Sequence, residues 1–320
     1  MCIRDSGYVA FPLNDIPNAT VQEGVKFSIT VKYPMHPVFL RGTQWDIERI
    51  RHEVEAALWA WETFGGVGAR TRRGFGALRP LSIDSRDRAD VSNVQDFVQD
   101  GLTTHVVQGQ WPPEVSHLTR SPVFRITRQF THANAAPLEA WKHMIRRLKQ
   151  FRQTRHGRFG RSCWPEPERI RRLTGQRLNK GGRTHPPLPP NLDEFPRAAF
   201  GLPIIFQFKD SNEDRPDDPK SDPRKTSLQL DGHERLASSL ILRPFACSNS
   251  VAVGIGLILE RRSSLNNLNV VLQTKEGTSA RWDNQPTQLD ATKARQIVDD
   301  SGCPLMGTET DVLKALLNRL

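Results

Sequence analysis

The first clear pattern in the chain is an alternation of apolar and polar residues at 25–33 (VKFSITVKY). Phe27, Ile29 and Val31 fall on one face, and lysine, serine and threonine residues fall on the other. A period of two residues is typical of a strand with one buried face. The segment therefore predicts a half-buried β-strand, which Pro34 ends.

A helical pattern follows this predicted strand. Thr43, with Asp46 three residues later, matches a capping box and predicts a helix that runs to about Thr63. We expect its apolar face to pack on a sheet, because apolar residues recur at spacings of three and four. That face consists of Ile47, Ile50, Val54, Leu58 and Trp61.

The order of strand and helix then repeats. Residues 85–121 have an irregular pattern, which predicts a connection to a second unit. Residues 123–128 (VFRITR) alternate again, and Pro137 opens a second amphipathic helix. The apolar face of this helix consists of Trp141, Met144, Ile145, Leu148 and Phe151. Buried strands of a second sheet are predicted at 200–208, 236–245 and 251–259, with a polar insertion at 210–224 and a short helix at 311–320, capped near Thr310.

Composition adds a concentrated positive charge. Lysine and arginine number 45 against 35 acidic residues, for a net charge of +10, which favours a polyanionic partner. Fourteen of these cations lie between 141 and 183, against two glutamates. Phe151, Phe159 and Trp164 are interleaved with them, as in a groove for single-stranded RNA. The cations that matter for this interpretation are Lys142, Arg146, Arg147, Lys149, Arg152, Arg155, Arg158 and Arg161.

The same basic stretch has a second interpretation. It can form a solvated helix face that leads into a disordered basic loop, and the Pro-rich segment 185–190 supports disorder at its end. Both interpretations can hold together if the loop becomes ordered on RNA.

Several kinds of site are excluded by what the sequence lacks. The four cysteines form no CxxC pair and the histidines have no ligand spacing, so neither a zinc site nor a disulfide framework is predicted. No apolar run approaches the ~18 residues of a membrane-spanning helix. We expect no metal, no cofactor, no membrane contact and a cytoplasmic location.

Residues 64–78 (FGGVGARTRRGFGAL), the glycine-rich loop, form the most informative segment. Their glycines permit positive φ and close approach to a ligand, and their arginines offer forked donors that suit a phosphodiester backbone. The candidate contacts are Gly65, Gly66, Gly68, Arg70, Thr71, Arg72, Arg73, Gly74 and Gly76. The alternative is a flexible connection whose arginines face solvent. Neither ATP nor NAD is indicated, because the segment has no P-loop string and its one GxG lies between helix and strand in the wrong order.

Residues 58–78 (LWAWETFGGVGARTRRGFGAL) resemble the signature of the first Cmr subunit family of the RAMP superfamily. The similarity includes a W-x-W helix end and the GARTRRGFG string. Residues 198–208 (AAFGLPIIFQF) and 235–245 (RLASSLILRPF) are similar to later strand motifs of that family. The resemblance covers about residues 7–260.

The resemblance implies an α+β fold of two ferredoxin-like (RRM-like, RAMP) domains, the first incomplete at its N-terminus. Residues 1–6 (MCIRDS) look like an artefactual leader. Residues 7–84 are expected to be the C-terminal half of the first domain, with the glycine-rich loop and an exposed sheet edge. Residues 85–320 are expected to be the second domain, with basic and Pro-rich insertions.

The resemblance also implies a non-catalytic, RNA-binding subunit of a type III-B CRISPR effector complex in antiviral defence. Its implied partners are guide RNA, target RNA, a repeated backbone subunit and a second capping RAMP subunit. An alternative is a RAMP-type endoribonuclease that processes guide RNA with a histidine as general base, although no histidine adjoins the glycine-rich loop in sequence. A generic RNA-binding protein outside CRISPR defence is a third hypothesis.

Overall fold

A computed structural model describes residues 24–112, 115–157, 160–176, 192–208, 211, 220–260, 270–274, 277–282 and 289–320. The elements in chain order are β1 (Val38–Leu40), β2 (Thr43–Trp45), α1 (Ile47–Phe64), β3 (Ser82–Ile83), β4 (Arg86–Asp87), α2 (Val94–His105), β5 (Val123–Ile126), β6 (Phe130–Thr131), α3 (Ala136–Arg152), α4 (Glu166–Thr174), β7 (Ile204–Phe206), β8 (Thr226–Leu230), β9 (Leu240–Ala246), β10 (Val251–Ile258), β11 (Val270–Thr274), β12 (Gly277–Trp282), α5 (Ala291–Gln296) and α6 (Val312–Leu317). Short 3-10 turns span Thr71–Arg73 and Pro196–Phe200. This mixture of helix and sheet agrees with the predicted α+β class, and no helix in the described ranges is long and apolar enough to cross a membrane.

A four-stranded antiparallel sheet with β10 at its centre carries most of the core. β10 pairs with β5 and β6 along one edge and with β9 along the other. Because β10 is antiparallel to both neighbours, β5 and β9 run parallel to each other. α3 follows β5 and β6 along the chain and packs against both β9 and β10.

One face of this sheet is covered by α3 and α6. The apolar residues that the sequence places on one face of α3, from Trp141 to Phe151, are all buried, as predicted. α6 begins with Asp311 as its N-cap, one residue after the predicted cap, and four leucine or valine side chains of the helix join the same core. Local periodicity therefore identified both helices on this face.

The opposite face of the sheet is covered by α1 and α2. Trp59 and Phe64 of α1 and Leu102 of α2 share a core with Ile241 and Phe245 of β9. Residues on both sides of the expected boundary at 84 and 85 thus contribute to one core. The division into 7–84 and 85–320 remains a prediction.

The strand predicted at 25–33 is wrong. Residues 25–33 pair with no strand in the described part of the chain, and Val25, Phe27 and Ile29 are each more than half exposed. An alternating pattern becomes a strand only when a neighbour accepts its backbone hydrogen bonds and a core covers its apolar face. The nearest strands are instead β1 and β2, which pair as a short hairpin.

α1 begins and packs differently from the prediction. Its N-cap is Asp46, whose carboxylate accepts from Arg49 N at 2.8 Å, whereas Thr43 lies in β2. Leu58, placed on the packing face by the sequence, is 39% exposed, and Trp59 is buried instead. The helix contacts α2 more extensively than it contacts the sheet, since only its C-terminal end reaches β9.

The region expected to be an irregular connection contains α2. Asn93 caps this helix by accepting from Gln95 N and Asp96 N. Gly101 interrupts the apolar pattern of α2. A side chain at this position would collide with Trp59 of α1, because a Cβ at Gly101 would lie 2.1 Å from the Trp59 ring. A glycine that permits close helix packing thus weakened the sequence signal for the helix.

The segment expected at 200–208 belongs to a second sheet rather than to the one that contains β9 and β10. This sheet has the order β12-β11-β8-β7, and β7 pairs only with β8 among the described strands. Its core includes Phe195, Phe206 and Leu228 together with Ile170 of α4. Most of the predicted polar insertion at 210–224, and the Pro-rich segment 185–190, lie outside the described residues.

A buried ionic network fixes α4 to the segment before β8. Arg171 donates to both carboxylate oxygens of Asp222 at 2.9 and 3.0 Å, and Arg161 donates to Asp222 at 2.7 Å. Burial raises the pKa of Asp222, but the hydrogen bonds from Arg171 and Arg161 outweigh burial and hold this pKa at about 2. Glu168 completes the network at 3.5 Å from Arg171.

Replacing Asp222 with Asn is expected to destabilise the fold by about 3 kcal/mol at neutral pH, because the guanidinium groups of Arg161 and Arg171 lose the buried carboxylate that they share. The folded-state pKa lies below the unfolded one, so this stability is present above about pH 4 and is lost towards about pH 2. Urea unfolding of both proteins across that range measures it. Asp87→Asn, at an exposed carboxylate, is the control. If the difference in unfolding free energy between the unchanged protein and Asp222→Asn does not shrink with acid, the expectation is contradicted.

Candidate nucleic-acid interface

The glycine-rich loop leaves α1 through a hydrogen-bonded exit. Gly65 N donates to Trp61 O at 3.0 Å, which closes the last helical turn. The indole Nε1 of Trp61 then donates to Gly66 O at 3.0 Å. The second tryptophan of the W-x-W string therefore holds the first residues of the loop against the helix end.

The loop is closed at its neck by a backbone contact. Val67 N donates to Gly76 O at 2.9 Å. Gly76 has φ +62°, and a Cβ there would lie 1.9 Å from Val67 O. Only glycine fits this position, because both the left-handed backbone and the close approach exclude a side chain. The chain from 67 to 76 is thus a closed loop rather than an open connection.

A 3-10 turn at Thr71–Arg73 forms the tip of the loop. Arg73 N donates to Arg70 O at 2.8 Å and Gly74 N donates to Thr71 O at 2.9 Å. Arg70 and Gly74, the residues that flank the turn, both have left-handed backbones, at φ +61° and +80°. A left-handed arginine is uncommon, and here it directs the chain into the turn while its side chain stays exposed.

Arg72 and Arg73 point inward. Arg72 Nη1 donates to Ser238 O at 2.5 Å. Arg73 donates to Leu240 O at 2.8 Å and to Phe200 O at 3.3 Å. Both side chains are half-buried, so the two adjacent arginines bind the loop to β9 and to the 3-10 turn before β7.

Arg243, in the middle of β9, anchors the base of the loop. It is fully buried, and its guanidinium donates to Gly65 O and to Leu78 O, both at 2.8 Å. Burial lowers its pKa to about 10, while the nearby Glu62 raises it. Carbonyl groups at the two ends of the loop thus surround a buried cation, which fixes their separation.

Trp141 of α3 supports the loop from the other side of β9. Its Nε1 donates to Arg73 O at 2.8 Å, and its ring meets the edge of Phe75 at a centroid distance of 5.4 Å. A Cβ at Gly74 would lie 2.7 Å from this ring, so a larger residue would separate the loop from α3. The loop and the basic helix are therefore in direct contact, as a shared binding surface requires.

The predicted contact residues of the basic helix differ in their surroundings. Arg146, Arg147 and Arg155 are exposed. Arg152 is half-buried, with its guanidinium 5.2 Å from the Phe200 ring centroid. Among the loop residues, Gly68, Arg70 and Gly76 are exposed, Gly65, Gly66 and Thr71 are half-buried, and Gly74 is buried.

The expectation of aromatic stacking residues in the basic stretch is wrong for two of three rings. Phe151 and Trp164 are buried and pack on each other at a centroid distance of 5.0 Å. Phe159 lies outside the described residues. Arg161 is also taken up internally, because it forms a salt bridge with Asp222. From composition we expected these residues to line an RNA groove. Instead the rings of Phe151 and Trp164 lie in the core, and Arg161 pairs with Asp222 inside the protein.

Arg243 and Trp141 are functional neighbours of the loop that sequence reasoning did not identify as such. A signal for Arg243 was present, since an arginine interrupts the otherwise apolar strand LILRPFA. A buried cation needs several acceptors, and most of the acceptors that a loop rich in glycine can supply are its backbone carbonyls. In the described ranges no group of His, Cys, Asp and Glu side chains could hold a metal ion.

Comparison with known proteins places this loop in a family context. Residues 10–79 match the family model of the RAMP superfamily. The match covers less than a quarter of the 320-residue chain, but it includes α1 and the whole glycine-rich loop. It supports the resemblance at the level of the RAMP superfamily. Searches of curated proteins and of solved structures find no match.

Replacing Arg243 with Met is expected to destabilise the protein by about 3 kcal/mol, because two partly buried carbonyl groups at the ends of the glycine-rich loop lose a charged donor. Urea unfolding measures the loss, and limited trypsin digestion should show faster cleavage within the loop. Arg295→Met, at an exposed arginine of α5, should change stability by less than about 0.5 kcal/mol. Equal effects of the two substitutions would contradict the anchoring role.

Proposed function

We propose that this protein is a non-catalytic, RNA-binding subunit of a type III-B CRISPR effector complex. The RAMP match over residues 10–79 favours CRISPR-associated RNA binding, and the GARTRRGFG string is the most specific part of the resemblance to the first Cmr subunit. The observation that carries the proposal is the glycine-rich loop, which is fixed at its neck, base and tip and exposes Arg70.

A fixed loop of this kind suits a phosphodiester backbone. Glycines at exposed positions leave the main chain accessible, and the ordering of the loop is already complete before RNA binds. In this proposal Arg70 contacts a phosphate directly. Arg72 and Arg73 contribute to RNA binding by shaping the loop with donors that are engaged by backbone carbonyls. Sequence information would come from base pairing between guide and target.

The exposed arginines of α3 extend the proposed RNA surface. Arg146 and Arg147 lie on the solvent side of α3, whose opposite face carries Trp141 against the loop. Arg155 follows the end of the helix and is also exposed. Arg152 would contribute charge from a partly buried position over Phe200. Together these cations give the positive surface that a polyanion requires.

The strand order of the central sheet supports the ferredoxin-like part of the proposal. β5, α3, β9, β10 and α6 occur in this order as strand, helix, two strands and helix, with other elements inserted between them, and β10 lies between β5 and β9 in the sheet. A ferredoxin-like βαββαβ domain has this arrangement for its first three strands. The proposed partners are guide RNA, target RNA, the backbone subunit and a second capping RAMP subunit, in the cytoplasm.

Replacing Arg70 with Gln is expected to weaken binding of single-stranded RNA about fivefold, with the same effect on every sequence, because one phosphate contact is lost. The slope of log affinity against log salt should fall by about 0.7. Fluorescence anisotropy with labelled oligoribonucleotides measures both quantities. Arg295→Gln is the matched control. An unchanged salt slope for Arg70→Gln would contradict a direct contact between Arg70 and an RNA phosphate.

Co-purification tests the assembly role. A C-terminal tag on the protein in its native host should recover guide RNAs together with other RAMP subunits, identified by sequencing and mass spectrometry. Recovery of the protein alone, or with unrelated transcripts, would refute that role.

The alternative of a guide-processing endoribonuclease makes a different prediction. Its histidine base would have to act beside bound RNA. In the described part of the chain, none of the hydrogen bonds or ring contacts around the loop involves a histidine. Incubation of the purified protein with repeat RNA, without added metal, should leave the RNA intact. The appearance of 2′,3′-cyclic phosphate ends would favour the enzyme.

A further inference from the structure

Residues 235–239, which lead into β9, lie beside the tip of the glycine-rich loop. Arg72 donates to Ser238 O, which holds the loop to this segment. Leu236 exchanges backbone hydrogen bonds with Leu202 at 3.0 and 3.1 Å, so the segment is also fixed on its far side. Arg235 therefore leaves a fixed backbone, close to the turn that Arg70 begins.

Arg70 and Arg235 are both exposed and have no partner among the residues that the structure describes. Neither guanidinium forms a hydrogen bond or a salt bridge with another group in the described ranges, in contrast to Arg72 and Arg73. Burial lowers the pKa of Arg70, and the positive charge of Arg235 lowers it further, whereas no carboxylate raises it. Two exposed cations thus lie on neighbouring segments that the Arg72–Ser238 hydrogen bond holds together, an arrangement that an anion between them would stabilise.

We propose that Arg70 and Arg235 form a clamp for a single phosphodiester group of the bound RNA backbone. This inference rests on the RNA-binding function proposed above, and it adds a residue outside the glycine-rich loop, 165 positions further along the chain. Forked guanidinium donors match the oxygen geometry of a phosphate from two sides. Both backbones are held in place before binding, which reduces the ordering cost.

A phosphate suits this site better than the carboxylates of an acidic peptide. The two charged oxygens of a phosphodiester lie on a tetrahedral atom, so two guanidinium groups can approach them from different directions, whereas a planar carboxylate presents both oxygens in one plane. On the same loop Gly68 is exposed, and no atom lies within 4 Å of the position that its Cβ would take, which leaves room for the adjoining ribose. Polyglutamate serves as the competing polyanion in the test.

The test uses the full chain in four forms: unchanged, Arg70→Gln, Arg235→Gln and the double variant. Binding of a labelled mixed-sequence single-stranded RNA is followed by fluorescence anisotropy over a series of salt concentrations. Each single variant should bind about fivefold more weakly, with a salt slope lower by about 0.7. The double variant should lose little more slope than either single variant, because one phosphate is released in all three.

The controls separate this inference from the proposed function. Arg235→Lys keeps the charge and should retain the salt slope with an affinity loss of about twofold, and Arg295→Gln should behave as the unchanged protein. If the unchanged protein fails to bind RNA, the proposed function falls. If it binds RNA and Arg235→Gln has no effect, or the slope losses add to about 1.4, the shared clamp is overturned. Equal competition by polyglutamate would overturn the preference for phosphate.

Discussion

The buried cation of Arg243 is the interaction on which the organisation of the site depends. An arginine inside an apolar strand must find acceptors, and it finds them in Gly65 O and Leu78 O at the two ends of the glycine-rich loop. The strand, the end of α1 and the loop are therefore held at fixed distances by one side chain. Removing the acceptors would leave a charge in the core, which couples loop geometry to stability of the fold.

The need of a buried guanidinium for hydrogen-bond acceptors divides the arginines near the loop into two groups. Arg72, Arg73 and Arg243 satisfy backbone carbonyls, whereas Arg70 and Arg235 face solvent. Positive charge in a sequence motif thus serves two purposes, because one residue type both crosslinks the loop and presents cations to a ligand. A loop fixed in this way holds its exposed residues in place at little additional entropic cost when a polyanion binds.

The basic stretch after Trp141 shows the same division on a larger scale. Arg161 and Arg171 bind Asp222 inside the protein, and Arg169 binds Asp193, so part of the charge excess seen in the sequence is neutralised internally. Among the described residues of this stretch, Arg146 and Arg147 of α3, Arg155 after that helix and Arg172 of α4 remain exposed.

The sequence by itself determined the elements whose hydrophobic pattern is complete within their own length. The period of α3, the apolar runs of β9 and β10 and the end of α1 near Thr63 could all be predicted, because periodicity and glycine preference are local properties. Only the tertiary structure decided that 25–33 forms no strand, that Gly101 marks helix packing, and which arginines face inward. Those outcomes depend on which acceptors and surfaces distant segments bring close together, and no local pattern contains that information.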